Sequence, residues 1–519
     1  MKRVLLHRPY WLLATFLLTS SNWAFSADQP TGILAKGTPF ATPYYVQATD
    51  QPGPTIVITG GVHGNEPAGA YAAEQIRHWK ITRGKVIVIP RSNVQALNIN
   101  KRLTPDIAEE LSNLNRNFPR TGMQEPPRGV LATSIWELVK KHDPQWLVDL
   151  HEGYDFNRIN PKSVGSTIIS SKTPAAHEAT ALMLAALNVT IEEENKKFRR
   201  RGPPIDSSLA RAANEHLGIE SLILETTFKQ QRLPKRARQH RIMMHRLLTH
   251  LNMLDKSVTV ETVTASHQPP KTFRIAIYDA PGTAGPGIPK LHEHFHRQTS
   301  VQLIRVSPAD IANGILHQFQ LVIFSGGSGS GQSKSLGEAG RKEVREYIRN
   351  GGGYIGICAG SYLACEGFSW GLNVLDAKTV SNKWRRGRAI VKMELTPPGH
   401  NLLGKLEHPT DIKYANGPIL APAHSDDIPD FQPLAFYRTE IAENDSPKGV
   451  MVNSPAVVSG SFGKGRVVCF GPHPEQTPGL EAMLWRSLLW AANRPLETPL
   501  PAPLKPASSP DEEKSSESR

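Results

Sequence analysis

The stretch Thr55-Ile-Val-Ile-Thr-Gly-Gly-Val-His63-Gly-Asn-Glu66-Pro67 decides how the first half of this chain is read. It opens as an apolar run of strand length, breaks at two glycines and continues into helix-like sequence. His63 and Glu66 therefore fall where a strand gives way to a helix. Two further runs behave alike: Trp146-Leu-Val-Asp-Leu150 leads into His151, and Ser221-Leu-Ile-Leu closes on Glu225. Strands alternating with helices predict a parallel sheet with crossover helices. Such sheets bind ligands at the carboxyl ends of their strands, where all four residues would lie. Two imidazoles and one carboxylate form a ligand set that leaves a coordination position of a zinc ion open for water, and a further glutamate nearby could take that water's proton.

The chain has 519 residues, more than one hydrophobic core organises, so at least two domains are expected. Met1-Lys-Arg, the apolar stretch from Tyr10 to Leu18 and the small-residue pattern Ala24-Phe-Ser26 read as a signal peptide, residues 1–26, and hence as export to the periplasm or medium. No later segment is apolar for long enough to predict stable membrane insertion. The net charge of +13 could favour an anionic partner such as cell-wall polymer. The basic groups are scattered, however, and Lys196-Lys-Phe-Arg-Arg-Arg201 and Trp384-Arg-Arg-Gly-Arg388 read as solvated faces, with no nucleic-acid partner expected. Residues 30–255 form a first domain and 256–272, with Pro269-Pro270, a linker. Residues 273–495 repeat the alternation, and 496–519 turn to a composition too polar to fold.

Gly60-Gly-Val-His63-Gly-Asn-Glu66-Pro-Ala-Gly resembles the opening motif of the M14 metallocarboxypeptidase clan, in its succinylglutamate desuccinylase and aspartoacylase branch. The resemblance implies an α/β/α sandwich in which His63, Glu66 and His151 hold one zinc ion and Glu225 is the general base and acid. It also implies that Asn115 and Arg116, in Asn113-Leu-Asn-Arg-Asn-Phe118, grip a substrate carboxylate, for which a guanidinium fork is suited. Arg102 takes the place of the arginine that steadies the oxyanion. Asp149 could orient a ligand imidazole, while Glu152 and Tyr154 read as structural. Arg199 to Arg201 read as a solvated loop.

In the second domain, Gly351-Gly-Gly-Tyr-Ile-Gly-Ile-Cys358-Ala-Gly360 sets a cysteine between glycines after a strand, the elbow that lifts a nucleophile to a helix N-terminus. Arg466-Val-Val-Cys-Phe470 reads as a strand delivering His473-Pro-Glu475. Together these resemble the Cys, His and Glu of class I glutamine amidotransferases, a flavodoxin-like α/β fold, with Cys358, His473 and Glu475 as the implied triad. Gly326-Gly-Ser-Gly329 stands where such domains build an oxyanion hole. The motif around Cys358 and Lys413-Tyr-Ala-Asn-Gly-Pro418 resemble, within that class, the amidotransferase-like N-terminal domain of some biotin protein ligases. Neither a ligase module nor a synthetase to receive ammonia is present. Of three cysteines, Cys358 and Cys365 are too far apart along a helix to pair, so Cys358 is expected to stay a thiol.

These readings add up to an exported zinc-dependent amide hydrolase, a carboxypeptidase or a deacylase of N-acyl amino acids, whose substrate could include cell-wall stem peptide. Two alternatives stay open. One is a cysteine-dependent amidase at Cys358 with the first domain as specificity module, and the other is a non-catalytic cell-envelope binding protein.

Overall fold

Two large sheets divide the chain, and each is buried on both faces. The computed structural model describes residues 29–500 except 266–271, 296–299, 382, 384 and 408, so the signal-peptide reading and residues 501–519 lie outside the described residues. The first sheet has eight strands in the spatial order Gly32–Leu34, Thr42–Ala48, Lys85–Ile89, Thr55–Gly60, Trp146–Gly153, Glu220–Thr227, Thr167–Ser170, Arg199–Arg201. Its centre is parallel, as expected from the alternating pattern. Gly32–Leu34, Thr42–Ala48 and Thr167–Ser170 each run antiparallel to a neighbour, so the sheet as a whole is mixed.

Alternation along the central strands sends successive side chains to opposite faces. Ile56, Ile58, Val148, Leu150, Leu222 and Leu224 pack under the helices Pro67–Ile76, Pro174–Asn188 and Leu233–His250. Val57, Ile87, Leu147 and Ile223 face the helices Val130–His142 and Leu209–Leu217 on the other side. Each such side chain fully withdrawn from water contributes roughly 1.5–3 kcal/mol. Trp146–Gly153 is buried at every position, which is why it reads as a continuous apolar run with Asp149 and His151 set inside it.

The second sheet has nine strands, in the order Val301–Val306, Phe273–Tyr278, Leu321–Phe324, Gly353–Ile357, Gly465–Phe470, Pro455–Phe462, Gln432–Tyr437, Arg388–Leu395, Thr410–Ala415. The first five are mutually parallel and the last four add antiparallel strands at one side. Ile275, Ile323 and Ile355 face a core closed by the helix Glu481–Ala491, and Ala276, Val322 and Tyr354 face one closed by Gly329–Arg349. The chain beyond Glu481–Ala491 stays in contact with the fold a little further than its composition suggests, since Trp485 Nε1 donates to the Thr498 carbonyl at 3.0 Å.

Polar contacts tie the two halves together. Arg305 N donates to Tyr71 Oη at 2.7 Å, and Arg232 donates to the Thr283 carbonyl at 2.8 Å. Arg241 pairs with Asp310, both almost fully buried. The connection between the domains packs as it passes: Trp79 Nε1 reaches the Thr262 carbonyl at 2.7 Å and Gln318 Nε2 the Glu261 carbonyl at 2.8 Å.

Candidate functional site

Three neighbouring strand ends assemble the first site. Glu66 occupies the N-cap position of Pro67–Ile76, where the helix dipole favours a carboxylate; its side chain bonds no amide of that helix, and its Oε2 accepts the Glu152 amide at 3.1 Å. The helix lies directly on the central strand only because residue 69 is glycine; a Cβ there would stand 2.1 Å from the Leu150 carbonyl oxygen. Register does the rest, pairing Thr59 with Asp149 and His151 with Glu225 across adjacent strands.

Both imidazoles turn Nδ1 toward Glu66. His63 Nδ1 is 2.9 Å from one carboxylate oxygen and His151 Nδ1 2.8 Å from the other. Their outer nitrogens are taken by oxygens, His63 Nε2 by Asn113 Oδ1 at 3.1 Å and His151 Nε2 by Asp149 Oδ2 at 2.7 Å. Asp149 is itself anchored by Thr59 Oγ1 at 2.6 Å. An imidazole that donates Nε2–H to an oxygen leaves the Nδ1 lone pair for a metal. Ligand atoms of His63, Glu66 and His151 lie within 4.8 Å of one another, and this is the His₂Glu set suited to a hydrolytic zinc. Glu225 completes the fit: it is buried, and its Oε2 has no hydrogen-bond partner. The residues present therefore fit one zinc ion with an ionisable carboxyl beside it.

Electrostatics follow from this crowding. Burial alone would raise Glu66, but His63 and His151 outweigh it and hold its carboxyl well below the usual range. Burial lowers His151, and Asp149 and Glu66 more than reverse that. Burial pushes Glu225 up to about 8, opposed by His151 and Arg102 and aided by Glu66 and Asp149.

A cavity of about 760 Å³ opens over these groups. The residues expected in the first domain as metal ligands, base, oxyanion arginine and carboxylate grip all line it: His63, Glu66, Arg102, Asn115, Arg116, His151 and Glu225. Arg102 Nη1 lies 2.6 Å from Glu66 Oε1, and Asn115 Nδ2 lies 3.5 Å from His151 Nε2. Arg201 also lines the cavity, so the basic run is not all solvated loop. Sequence reading missed Asn113 and Arg236. Arg236 pairs with Glu152 Oε1, whose other oxygen accepts the Ala68 amide at 2.7 Å, and so braces the residue beside His151. Asn113 stood within the quoted Asn-Leu-Asn-Arg motif, but nothing in that motif pointed to Arg236 on a distant helix.

Cys358, His473 and Glu475 come together in the second domain. Cys358 holds φ 53° and ψ −99° at the junction of Gly353–Ile357 with the short helix Ala359–Ala364. This left-handed backbone is the strained elbow its glycine flanks predict. A Cβ at Gly360 would stand 2.1 Å from the Phe324 carbonyl oxygen. All three cysteines are free. His473 Nδ1 is 2.9 Å from Glu475 Oε1, which leaves Nε2 for the thiol. Burial lowers His473, but its bonds with Cys358 and Glu475 prevail and push it up to about 10. Of the Gly326-Gly-Ser-Gly329 loop, the Ser328 amide turns inward to the Gly282 carbonyl at 2.8 Å and is not aimed at the thiol. A cavity of about 690 Å³ contains Cys358 and His473 and shares no lining residue with the first.

Residues 52–251 match the family model of the succinylglutamate desuccinylase/aspartoacylase catalytic domain, and residues 273–385 that of the N-terminal region of biotin-protein ligase. The chain joins a desuccinylase/aspartoacylase-type catalytic domain to a biotin-protein ligase N-terminal-type domain. The desuccinylase/aspartoacylase-type domain holds every proposed metal ligand. The match to the second domain includes Cys358 but ends before His473 and Glu475. Over 109 residues, 20% of this chain and 29% of the other, the sequence is 36% identical to N-alpha-acetyl-L-2,4-diaminobutyric acid deacetylase of Halomonas elongata. The mDAP-bound form of Csd4, a D,L-carboxypeptidase of Helicobacter pylori, is similar at a TM-score of 0.35 and 19% identity, covering 42% of this chain and 57% of that one. A succinylglutamate desuccinylase/aspartoacylase of Rhodobacter sphaeroides is similar at 0.30 and 21%, covering 43% and 62%. The chain spans 61% and 29% of the curated relatives it matches.

Proposed function

We propose that the first domain is a zinc-dependent hydrolase of amide bonds, a carboxypeptidase or a deacylase of N-acyl amino acids. The observation that carries this reading is the convergence of His63 Nδ1, His151 Nδ1 and Glu66 beside the buried, unpartnered Oε2 of Glu225. When bound, zinc supplies Lewis acidity to a water and to the scissile carbonyl. Glu225 Oε2 accepts the water's proton and passes it to the leaving amine, the double duty of a general base and acid. Arg102, at the rim beside Glu66, donates to the carbonyl oxygen as negative charge develops on it. Asn115 and Arg116 hold a free carboxylate of the substrate, so that the amide beside it is presented to Glu225. Asp149 and Asn113 fix the ring orientations, and Arg236 through Glu152 fixes the strand end that carries His151.

The family match supports hydrolysis of an amide next to a carboxylate, and the similarity to a deacetylase of an N-acetylated amino acid supports the deacylase form. Export, through a signal peptide at residues 1–26, would place the enzyme beside cell-wall stem peptides, which carry such bonds. Among the described residues no helix is long and apolar enough to cross a membrane. Incubating the purified chain with peptides, N-acyl amino acids and muropeptides, with and without chelator, tests the reading. Chelator-sensitive release from one class is expected. Release that chelator leaves untouched would overturn it.

A further inference from the structure

The second cavity has a lining that selects for charge. Among its described lining residues there is no aspartate or glutamate. Lys413 and Arg388 both line it, brought in by the neighbouring antiparallel strands Thr410–Ala415 and Arg388–Leu395. The Lys413 amine is positioned by Gln476 Oε1 at 2.8 Å, and the Lys413 carbonyl accepts the His473 amide at 2.8 Å, which ties the cation's backbone to the triad histidine. Aromatic rings line the same cavity. Phe368 and Trp370 are stacked with ring centroids 4.4 Å apart, and Tyr362 meets Phe368 edge to face. Thr283 also lines the cavity, and its buried Oγ1 has no hydrogen-bond partner.

We propose that Cys358 is the nucleophile of a second active site whose substrate is an anionic acyl compound, an ester or amide that carries a carboxylate, has an apolar or flat body and lacks a free ammonium group. A zwitterionic amino acid such as glutamine gains most from an acidic side chain that pairs with its ammonium, and the described lining offers only cations and neutral groups. Two cations in a described lining that carries no carboxylate attract and orient an anionic substrate. The flat body rests on Phe368 and Trp370, and Thr283 Oγ1 supplies a polar contact.

The chemistry balances within the triad. His473 Nε2 takes the thiol proton while Glu475 holds the ring through Nδ1. Cys358 Sγ then attacks the acyl carbon; a C–S bond forms and the C–O or C–N bond to the leaving group breaks. The leaving group departs with the proton from His473. Water, giving its own proton to His473, cleaves the thioester, releasing the acid and restoring the thiol. Water and the acyl compound are the only reactants. Reaction at this site does not depend on the first domain's metal.

Alkylation of the full-length protein tests the charge preference directly, with chelator present throughout so that the metal reading cannot influence the result. Cys365 and Cys469 are 0% exposed, so adducts should map to Cys358 and vanish in Cys358→Ser. Iodoacetate should label it at least about tenfold faster, relative to iodoacetamide, than the same two reagents label free cysteine. Arg388→Gln and Lys413→Gln should each pull that ratio toward the free-thiol value. In turnover, mono-4-nitrophenyl glutarate should be cleaved faster than 4-nitrophenyl butyrate, and Cys358→Ser should abolish both. An alkylation ratio equal to that of free cysteine would overturn the charge preference. Ammonia release from glutamine faster than cleavage of the anionic ester would overturn the substrate class, and ester cleavage surviving Cys358→Ser would overturn the nucleophile.

Discussion

Arg241 and Asp310 form a buried ion pair that joins the two domains, Arg241 on the helix Leu233–His250 and Asp310 on the short helix Pro308–Ala312. The same long helix sends Arg236 to Glu152, next to His151. One helix thus braces the strand that carries His151 at one point and fastens the second domain at another. Asp310 has a further duty, because it closes a capping box with Ser307.

Removing Asp310 therefore strands a buried guanidinium and opens a helix cap. Asp310→Ala should cost about 3–5 kcal/mol, the usual penalty for breaking a buried pair from one side. Denaturant unfolding followed by tryptophan fluorescence would show it as a lower midpoint. The double variant Arg241→Met with Asp310→Leu should recover part of the loss, since it removes the uncompensated charge; no recovery would mean that the cap and not the pair dominates.

Metal content and turnover should separate in variants of the first site. His63→Ala and His151→Ala each remove a ligand and should purify without zinc and without activity. Glu225→Gln leaves His63, Glu66 and His151 in place, so it should retain zinc while turnover falls by roughly 10²–10⁴, the usual contribution of a general base. Near-native turnover by Glu225→Gln, with metal measured in parallel, would exclude the proposed role.

Arg116 should read a carboxylate by its forked shape as well as its charge. Arg116→Lys keeps the charge and loses the fork, so kcat/KM should drop by about tenfold or more on the best substrate. Amidating that substrate's carboxylate should produce a similar loss in the native protein and little additional loss in the variant. Additive losses from the two changes would show that they act apart.

Two histidines should give opposite pH dependences of stability. His78 is buried, and burial together with Arg77 and Arg274 lowers it from 6.5 to about 3. A depressed histidine contributes stability that is complete above its unfolded value and is lost as pH falls from about 6.5 to about 3. His473, raised to about 10, contributes stability that is complete below about 6.5 and is lost as pH rises toward 10. Unfolding free energies measured across pH should lose acid slope in His78→Phe and alkaline slope in His473→Gln.

Much of both sites was legible because their chemistry sits in short motifs at strand ends. His63 and Glu66 share one turn, His151 and Glu225 follow apolar runs, and the glycines around Cys358 announce an elbow. The charge-selecting features were harder to see. Arg388 belongs to a basic run that reads as solvated, yet it lines the thiol cavity because its strand pairs with the one carrying Lys413. Ser328, in a glycine-rich loop suited to an oxyanion hole, spends its amide on Gly282 because the chain from 279 to 285 folds back against that loop.

By itself the sequence determined the two α/β domains, the residues able to hold a metal and the cysteine elbow, since strand period, glycine placement and ligand type are properties of local chain chemistry. Only the tertiary structure decided which groups meet. Register between parallel strands set Glu225 opposite His151, and helix packing carried Arg236 to Glu152 and Arg241 to Asp310. Strand pairing at the far side of the second sheet brought Arg388 and Lys413 into one cavity whose described lining carries no acidic residue. These contacts span long stretches of chain, and side-chain periodicity, which reports only what lies on one face of one element, carries no record of them.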